Sequence, residues 1–192
     1  MAKEPNIYWY NGQLNCEHIK LMPKSFMNFS GREARNKQGK LCNEEGKRNF
    51  WIEVPEEFIS IFEEENVNMK MLVNTLEDDG YPKNARVKVN VAFNGKEPAK
   101  LYLRDGIKDA NGEYTEDYEE ISKDEVSVLD GYRYEEADLI LNVSRINEIH
   151  ALYLVNGYFT KKYDSNPIKE KHAQQIRRPQ KATINDEPLP FT

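Results

Sequence analysis

Residues 85–93 read ARVKVNVAF. Val87, Val89, Val91 and Phe93 fall on one side of an extended chain, and Arg86, Lys88 and Asn90 fall on the other. Strict alternation marks a strand with one face in a core and one in water. The outward face here is cationic rather than merely polar. AKLYLRDG (99–106) repeats the arrangement, with Leu101 and Leu103 inward and Lys100, Tyr102 and Arg104 outward. RNFWIEV (48–54) sets Phe50, Ile52 and Val54 on one face and Asn49, Trp51 and Glu53 on the other. IKLMPKSFMNF (19–29), with Pro23 marking an edge or a bulge, joins the set. ADLILNVSRI (137–146) and HALYLVNGYFT (150–160) are richer in apolar residues and read as central strands.

Helical signals are few. Pro55, two acids at Glu56 and Glu57, then Phe58, Ile61 and Phe62 predict one short amphipathic helix. Ser122 followed by Glu125 has the capping-box pattern, with Val126 and Leu129 as the buried side of a second. SGREARNKQGKLCNEEGK (30–47) has three glycines and no apolar period, which predicts a mobile loop or an extended hairpin tip. The chain is therefore expected to be mainly β: an oligonucleotide-binding (OB-like) β-barrel with one or two short helices and a disordered C-terminal tail. A plain antiparallel sandwich is the alternative. The expected organisation is an N-terminal extension (1–18), the barrel domain (19–163) and a flexible tail (164–192).

The 192 residues carry a net charge of −6, but the charge is unevenly spread. From Lys24 to Trp51 seven cations face three acids, a balance of +4; from Lys108 to Asp138 three cations face twelve acids, a balance of −9. From Lys161 to Lys181 seven cations face two acids, a balance of +5. Binding responds to the local field, so a basic groove fits inside an acidic whole. No run of eighteen apolar residues spans a membrane, and the N-terminus MAKEPNIYWYNGQ has no apolar signal core. Cys16 and Cys42 read as free thiols, and the whole pattern predicts a cytoplasmic protein.

Catalytic and metal-binding patterns do not emerge. Walker, zinc CxxC, G-x-S-x-G and H-E-x-x-H motifs are all missing from the sequence. Cys16 and His18 form a C-x-H pair that lacks two further ligands at a zinc spacing. The acids of DANGEYTEDYEE (109–120) lack the spacing of a calcium loop. The expectation is a protein that is not an enzyme and takes no cofactor.

Single-stranded nucleic acid requires cations that follow phosphates and flat rings on which bases stack. Arg32, Arg35, Lys37, Lys40, Arg48, Lys88 and Arg104 are the candidate phosphate contacts, and Trp51, Tyr102 and Phe29 the candidate stacking rings. A recognition helix for duplex DNA and an RNP1 pattern are both missing, which favours single-stranded DNA and leaves RNA open.

NFSGREARNKQG (28–39), GKRNFWIEVPEEFISIFEEENVNMKML (46–72), LDGYRYEEADLILNV (129–143) and HALYLVNGYFTKKYD (150–164) together resemble a group of bacteriophage-encoded proteins. The resemblance covers about residues 26–163 and implies an oligonucleotide-binding fold and single-stranded DNA binding in phage replication or recombination. Residues 106–120 stand apart as an acidic insertion. The C-terminus NDEPLPFT is similar to the acidic tip that ends bacterial single-stranded DNA-binding proteins. Asp186, Glu187, Pro188, Leu189, Pro190 and Phe191 supply acids, an aliphatic residue, a proline and a phenylalanine, with Pro188 interposed and Thr192 added after the phenylalanine. That similarity implies a peptide that recruits replication or recombination proteins. A stiff apolar wedge on a polar leash suits such docking. Self-association is compatible with the sequence. The competing reading is a host-interaction or inhibitor protein whose acidic 109–138 surface mimics nucleic acid.

Overall fold

The computed structural model describes residues 3–72 and 84–163. In chain order its elements are β1 (Asn6–Tyr10), β2 (Gln13–Ile19), β3 (Ala34–Arg35), β4 (Leu41–Asn43), β5 (Arg48–Val54), α1 (Ile59–Glu64), β6 (Met69–Met71), β7 (Ala85–Val91), β8 (Lys100–Arg104), β9 (Glu119–Ile121), β10 (Tyr134–Ser144) and β11 (Ala151–Lys161). Short 3-10 turns at Lys24–Phe26, Glu56–Phe58 and Val126–Gly131 complete them. The chain is mostly β, as the alternating stretches require, and its main sheet curls into a half-barrel.

Successive ladders run β2–β10, β10–β11, β11–β7 and β7–β5; only β11–β7 in this run is parallel. The outer edge of β5 then returns to the chain just past β2. Met22 N–H donates to the Trp51 carbonyl at 2.9 Å, Glu53 N–H to that of Lys20 at 2.9 Å, and Asn28 and Asn49 exchange two backbone bonds at 2.8 and 3.1 Å. Residues 19–29, expected as one strand, thus pair with β5 only at the isolated bridges Leu21–Ile52 and Asn28–Asn49. Pro23 is the reason: it offers no N–H and instead opens the 3-10 turn. β8 continues along the flank of β11 that β7 began, with Lys100–Arg104 parallel to Asn156–Thr160. β7 and β8 are therefore one line of pairing interrupted by residues 92–99.

The first strands differ from expectation. Residues 6–19 are a hairpin within the main sheet, so the sheet begins at Asn6 rather than Ile19. Asn11 and Gly12 form its two-residue turn with φ of 50° and 78°. Positive φ at both positions matches the right-handed twist of the strands. Leu14, Cys16 and Ile19 on β2 are buried in the core.

The core holds a cluster of three phenylalanines. Phe29 stacks on Phe50 with centroids 5.2 Å apart, and Phe159 meets both edge-on at 5.6 and 5.5 Å. All three are fully buried. Phe62 of α1, and Val126 and Leu129 of the third 3-10 turn, are buried as the sequence indicated. Ser122 differs in detail: its hydroxyl donates to the Glu125 carboxylate at 2.7 Å and caps no backbone group. Among the described residues no helix is long and apolar enough to cross a membrane.

Phe159→Ala should lose about 3–5 kcal/mol of stability, because it removes one ring from a packed trio and leaves a cavity. Urea unfolding monitored by circular dichroism would show the loss as a lower midpoint with little change in slope.

Candidate nucleic-acid interface

The register that buries Phe50, Ile52, Val87 and Val89 sends the intervening side chains outward. Trp51 lies directly opposite Lys88, and Glu53 opposite Arg86. β6 brings Lys70 opposite Arg86 on the other edge of β7. The indole of Trp51 is half-buried, with the Lys70 ammonium and the Arg86 guanidinium each 5.5 Å from its ring centroid. Arg86 also lies 4.5 Å over Phe26, whose ring meets Trp51 edge-on at 6.3 Å. The Lys24–Phe26 turn thus completes one wall of a groove of about 590 Å³. Lys24, Phe26, Arg32, Trp51, Lys70 and Lys88 line it, together with the inner side of the β3–β4 hairpin.

Several of its cations are unpaired among the described residues. Lys70, Arg86 and Lys88 form no ion pair with any described residue. Arg86 Nε is buried without a hydrogen-bond partner, an orphan donor of the kind a ligand satisfies. Burial, and then the charges of Lys47 and Lys70, hold the Lys88 ammonium below the usual lysine pKa. An anion placed among these groups would relieve the repulsion.

The N-F-S-G-R stretch fixes the hairpin beside this groove. Phe29 anchors it in the core. The Asp130 carboxylate accepts from Phe29 N–H at 2.7 Å and Ser30 N–H at 3.0 Å, and it lies 3.6 Å from Arg32. Asn28 Oδ1 accepts from Arg32 N–H at 2.8 Å. Gly31 has φ of 71°, and a Cβ there would lie 3.1 Å from the Gly46 carbonyl carbon, so both sides of the loop close only around glycine. Asn49 donates to Asn43 Oδ1 at 2.7 Å, and Asn43 donates to the carbonyls of Arg32, Glu44 and Lys47, each at 2.9 Å. The loop at 30–47 is thus the hairpin tip of the two expected forms. At its end Asn36 Oδ1 accepts from Gln38 and Lys40 N–H at 3.0 and 2.9 Å.

Of the residues singled out in the sequence, Arg32, Trp51 and Lys88 meet in the groove. Lys37 and Lys40 are exposed on the hairpin, as is Arg35, which pairs with Glu33 at 2.7 Å. Phe29 requires correction, and Arg48, Arg104 and Tyr102 lie outside this groove. Phe29 is fully buried against Phe50 and Phe159, so no base can stack on it. Arg48 shares the parity of Phe50 rather than that of Trp51; its guanidinium lies 5.5 Å over Phe93, away from the groove. Arg104 is held between Tyr114 and Tyr118 at 3.7 and 4.3 Å and donates to Thr160 Oγ1 at 3.0 Å. Tyr102 stacks on Tyr158 at 4.9 Å, outside the residues that line the groove. Phe26, Lys70 and Arg86 are the contributors that were missed. Arg86 carried a legible signal, since it alternates with Lys88 on the outward face; Phe26 and Lys70 carried none, because the 3-10 turn and the three-residue β6 set their positions.

The acidic insertion packs on the barrel's other flank. Asp109 accepts from Asn111 and Glu113 N–H at 2.8 and 2.9 Å, and these bonds lower its pKa. Tyr114 donates to Glu136 at 2.9 Å, and burial first, then that carboxylate, push its pKa up to about 12. No group of three or more potential metal ligands converges among the described residues. Cys16 is buried and Cys42 exposed, and both are free; burial pushes the Cys16 thiol well above its ordinary value.

A family model described as "Putative phage ssDNA-binding domain" matches residues 7–188. No curated protein matches the chain.

Lys88 allows the groove's electrostatics to be tested without ligand. Its folded pKa lies below its unfolded one, so the charged form penalises the fold throughout the pH range below the folded pKa, neutral pH included. The penalty fades only as pH rises through that folded value towards the unfolded one. Lys88→Met should therefore raise the melting temperature at pH 7 by ~1–3 °C, measured by scanning calorimetry.

Proposed function

The chain belongs to the phage single-stranded DNA-binding domain family, and from that membership we propose that it coats single-stranded DNA without sequence preference during phage replication or recombination. The observation that carries the reading is Trp51: a half-buried indole flanked by Lys70, Arg86 and Lys88, none of them in an ion pair with a described residue. Bases stack on Trp51 and Phe26 while Lys88, Lys70, Arg86 and Arg32 follow the phosphates. Lys37 and Lys40 extend the track along the β3–β4 hairpin, which in an OB-like barrel is one of the loops that frame the strand. The groove has side chains for stacking and charge neutralisation, and the asparagines in its lining, Asn28, Asn43 and Asn49, bond to one another and to the hairpin backbone, which supports sequence-tolerant binding.

The terminal peptide belongs to the same proposal. Asp186, Glu187, Pro188, Leu189, Pro190 and Phe191 lie outside the described residues, and the case for them rests on their sequence. Acids for a basic rim and a stiff apolar wedge for a pocket make this tip the recruiting element for replication or recombination proteins.

Titration of a labelled oligo-dT by fluorescence anisotropy tests the reading. Binding at ~50 mM salt should weaken as salt rises, with a log–log slope of about −3 to −4 for four to six phosphate contacts. Trp51→Ala should weaken it by ~1–3 kcal/mol, while Tyr102→Ala leaves it unchanged. A preference for duplex, or indifference to Trp51→Ala, contradicts the assignment. Deleting residues 184–192 should leave oligo-dT affinity intact and abolish capture of replication proteins.

A further inference from the structure

We infer that the outer edge of β1 is a self-pairing surface, through which two copies of this chain form an antiparallel dimer about a two-fold axis at Tyr8. Among the described residues β1 pairs with β2 alone, so its other edge is open. Natural edge strands are blunted by charges, prolines or covering elements. β1 reads NIYWY, without a charge, in a chain of which 31% is charged. Tyr8, Trp9 and Tyr10 are 38%, 39% and 63% exposed.

The hairpin geometry decides which backbone groups are available. The two-residue turn at Asn11–Gly12 makes Tyr10–Gln13 the hydrogen-bonded pair next to the turn. Bonded and non-bonded pairs alternate along an antiparallel ladder. Tyr10, Tyr8 and Asn6 therefore spend their N–H and C=O on β2, while Ile7 and Trp9 direct theirs outward. Pairing two β1 strands about Tyr8 places Ile7 opposite Trp9 of the second copy and Trp9 opposite its Ile7. All the outward donors and acceptors of the strand are then satisfied, in four hydrogen bonds. Pro5 has no N–H to extend the ladder further, which pins the register.

Side chains support the same arrangement. Ile7 and Trp9 share the inner face; Ile7 is buried, whereas Trp9 is 39% exposed, with the Arg145 guanidinium 5.9 Å from its ring centroid. Across the axis each indole would lie beside the other copy's Ile7 and lose part of its own exposure, and the two Tyr8 rings would meet on the outer face as a non-hydrogen-bonded pair, where side chains approach most closely. β1 itself carries no charge, so no like charges meet within the new ladder, and Glu17 of β2 is engaged by the Tyr8 hydroxyl of its own copy. The contact is isologous and closes at two copies. No residue of β1 lines the Trp51 groove, so the pairing uses none of the groove's side chains.

Sedimentation equilibrium of the full chain without DNA should give twice 22.5 kDa at ~100 µM. Tyr8→Lys should give the monomer mass. In the monomer its ammonium faces Glu17, which the Tyr8 hydroxyl contacts at 3.1 Å, whereas in the dimer two ammoniums meet at the axis. A monomeric wild type, or a Tyr8→Lys dimer of unchanged strength, overturns the inference. Register is tested independently in a Cys42→Ser background. Tyr8→Cys should cross-link to a dimer under mild oxidation, because Cα atoms of a non-hydrogen-bonded pair lie about 4.5 Å apart, within disulfide reach. Tyr10→Cys, opposite Asn6 of the second copy, should not. Equal cross-linking of the two also overturns it.

Discussion

The meeting of Phe29, Phe50 and Phe159 at the barrel centre sets the rest of the molecule. The three rings come from the segment after β2, from β5 and from β11, and each is fully buried. Because side chains alternate along a strand, burying Phe50 compels Trp51 to face outward. Burying Phe29 carries the N-F-S-G-R segment to the mouth of the barrel, where Asp130 and Asn28 hold its backbone. One hydrophobic contact thus positions both Trp51 and the basic hairpin beside it. A register slip of one residue would bury the indole and expose the phenylalanine.

Stability and function pull in opposite directions on the outer face of β5 and β7. Lys47, Lys70 and Lys88 crowd one another, and the Lys88 ammonium is held below its ordinary pKa. Arg86 keeps an unsatisfied buried donor. A fold selected for stability alone would place carboxylates here, as it does on the opposite flank. There Arg104 is enclosed by Tyr114 and Tyr118 beside Glu136. Both arginines lie over aromatic rings, but Arg104 has a carboxylate beside it and Arg86 has no ion pair with a described residue, which is the contrast the proposed binding face rests on.

Much of this was legible in the sequence. The alternation in 85–93 and 48–54 gave the strands, their buried faces and the outward places of Trp51 and Lys88. The short helix after Pro55 and the hairpin option for 30–47 were also readable. The β1–β2 hairpin was legible but passed over: Asn11-Gly12 between alternating stretches is a strong hairpin signal. Parity with Phe50 places Arg48 apart from Trp51. Phe29 could not be separated from a surface ring, because Pro23 and the 3-10 turn break the alternation before it. Tyr102 and Arg104 did face outward as read, yet a curled sheet has several outer surfaces. Which of them two strands share depends on the β11–β8 pairing and on Tyr114 and Tyr118, supplied from far along the chain. Local periodicity assigns a side of a strand; only long-range pairing assigns a place on the barrel.

The central claim is that single-stranded DNA lies across Trp51 and Phe26. Ultraviolet cross-linking of the full chain to oligo-dT, followed by mass spectrometry of the modified peptides, reads the contact directly. The account requires adducts on Trp51 and Phe26, with none on Tyr102 or Tyr158. Adducts concentrated on the Tyr102–Tyr158 stack, with Trp51 unmodified, would contradict it.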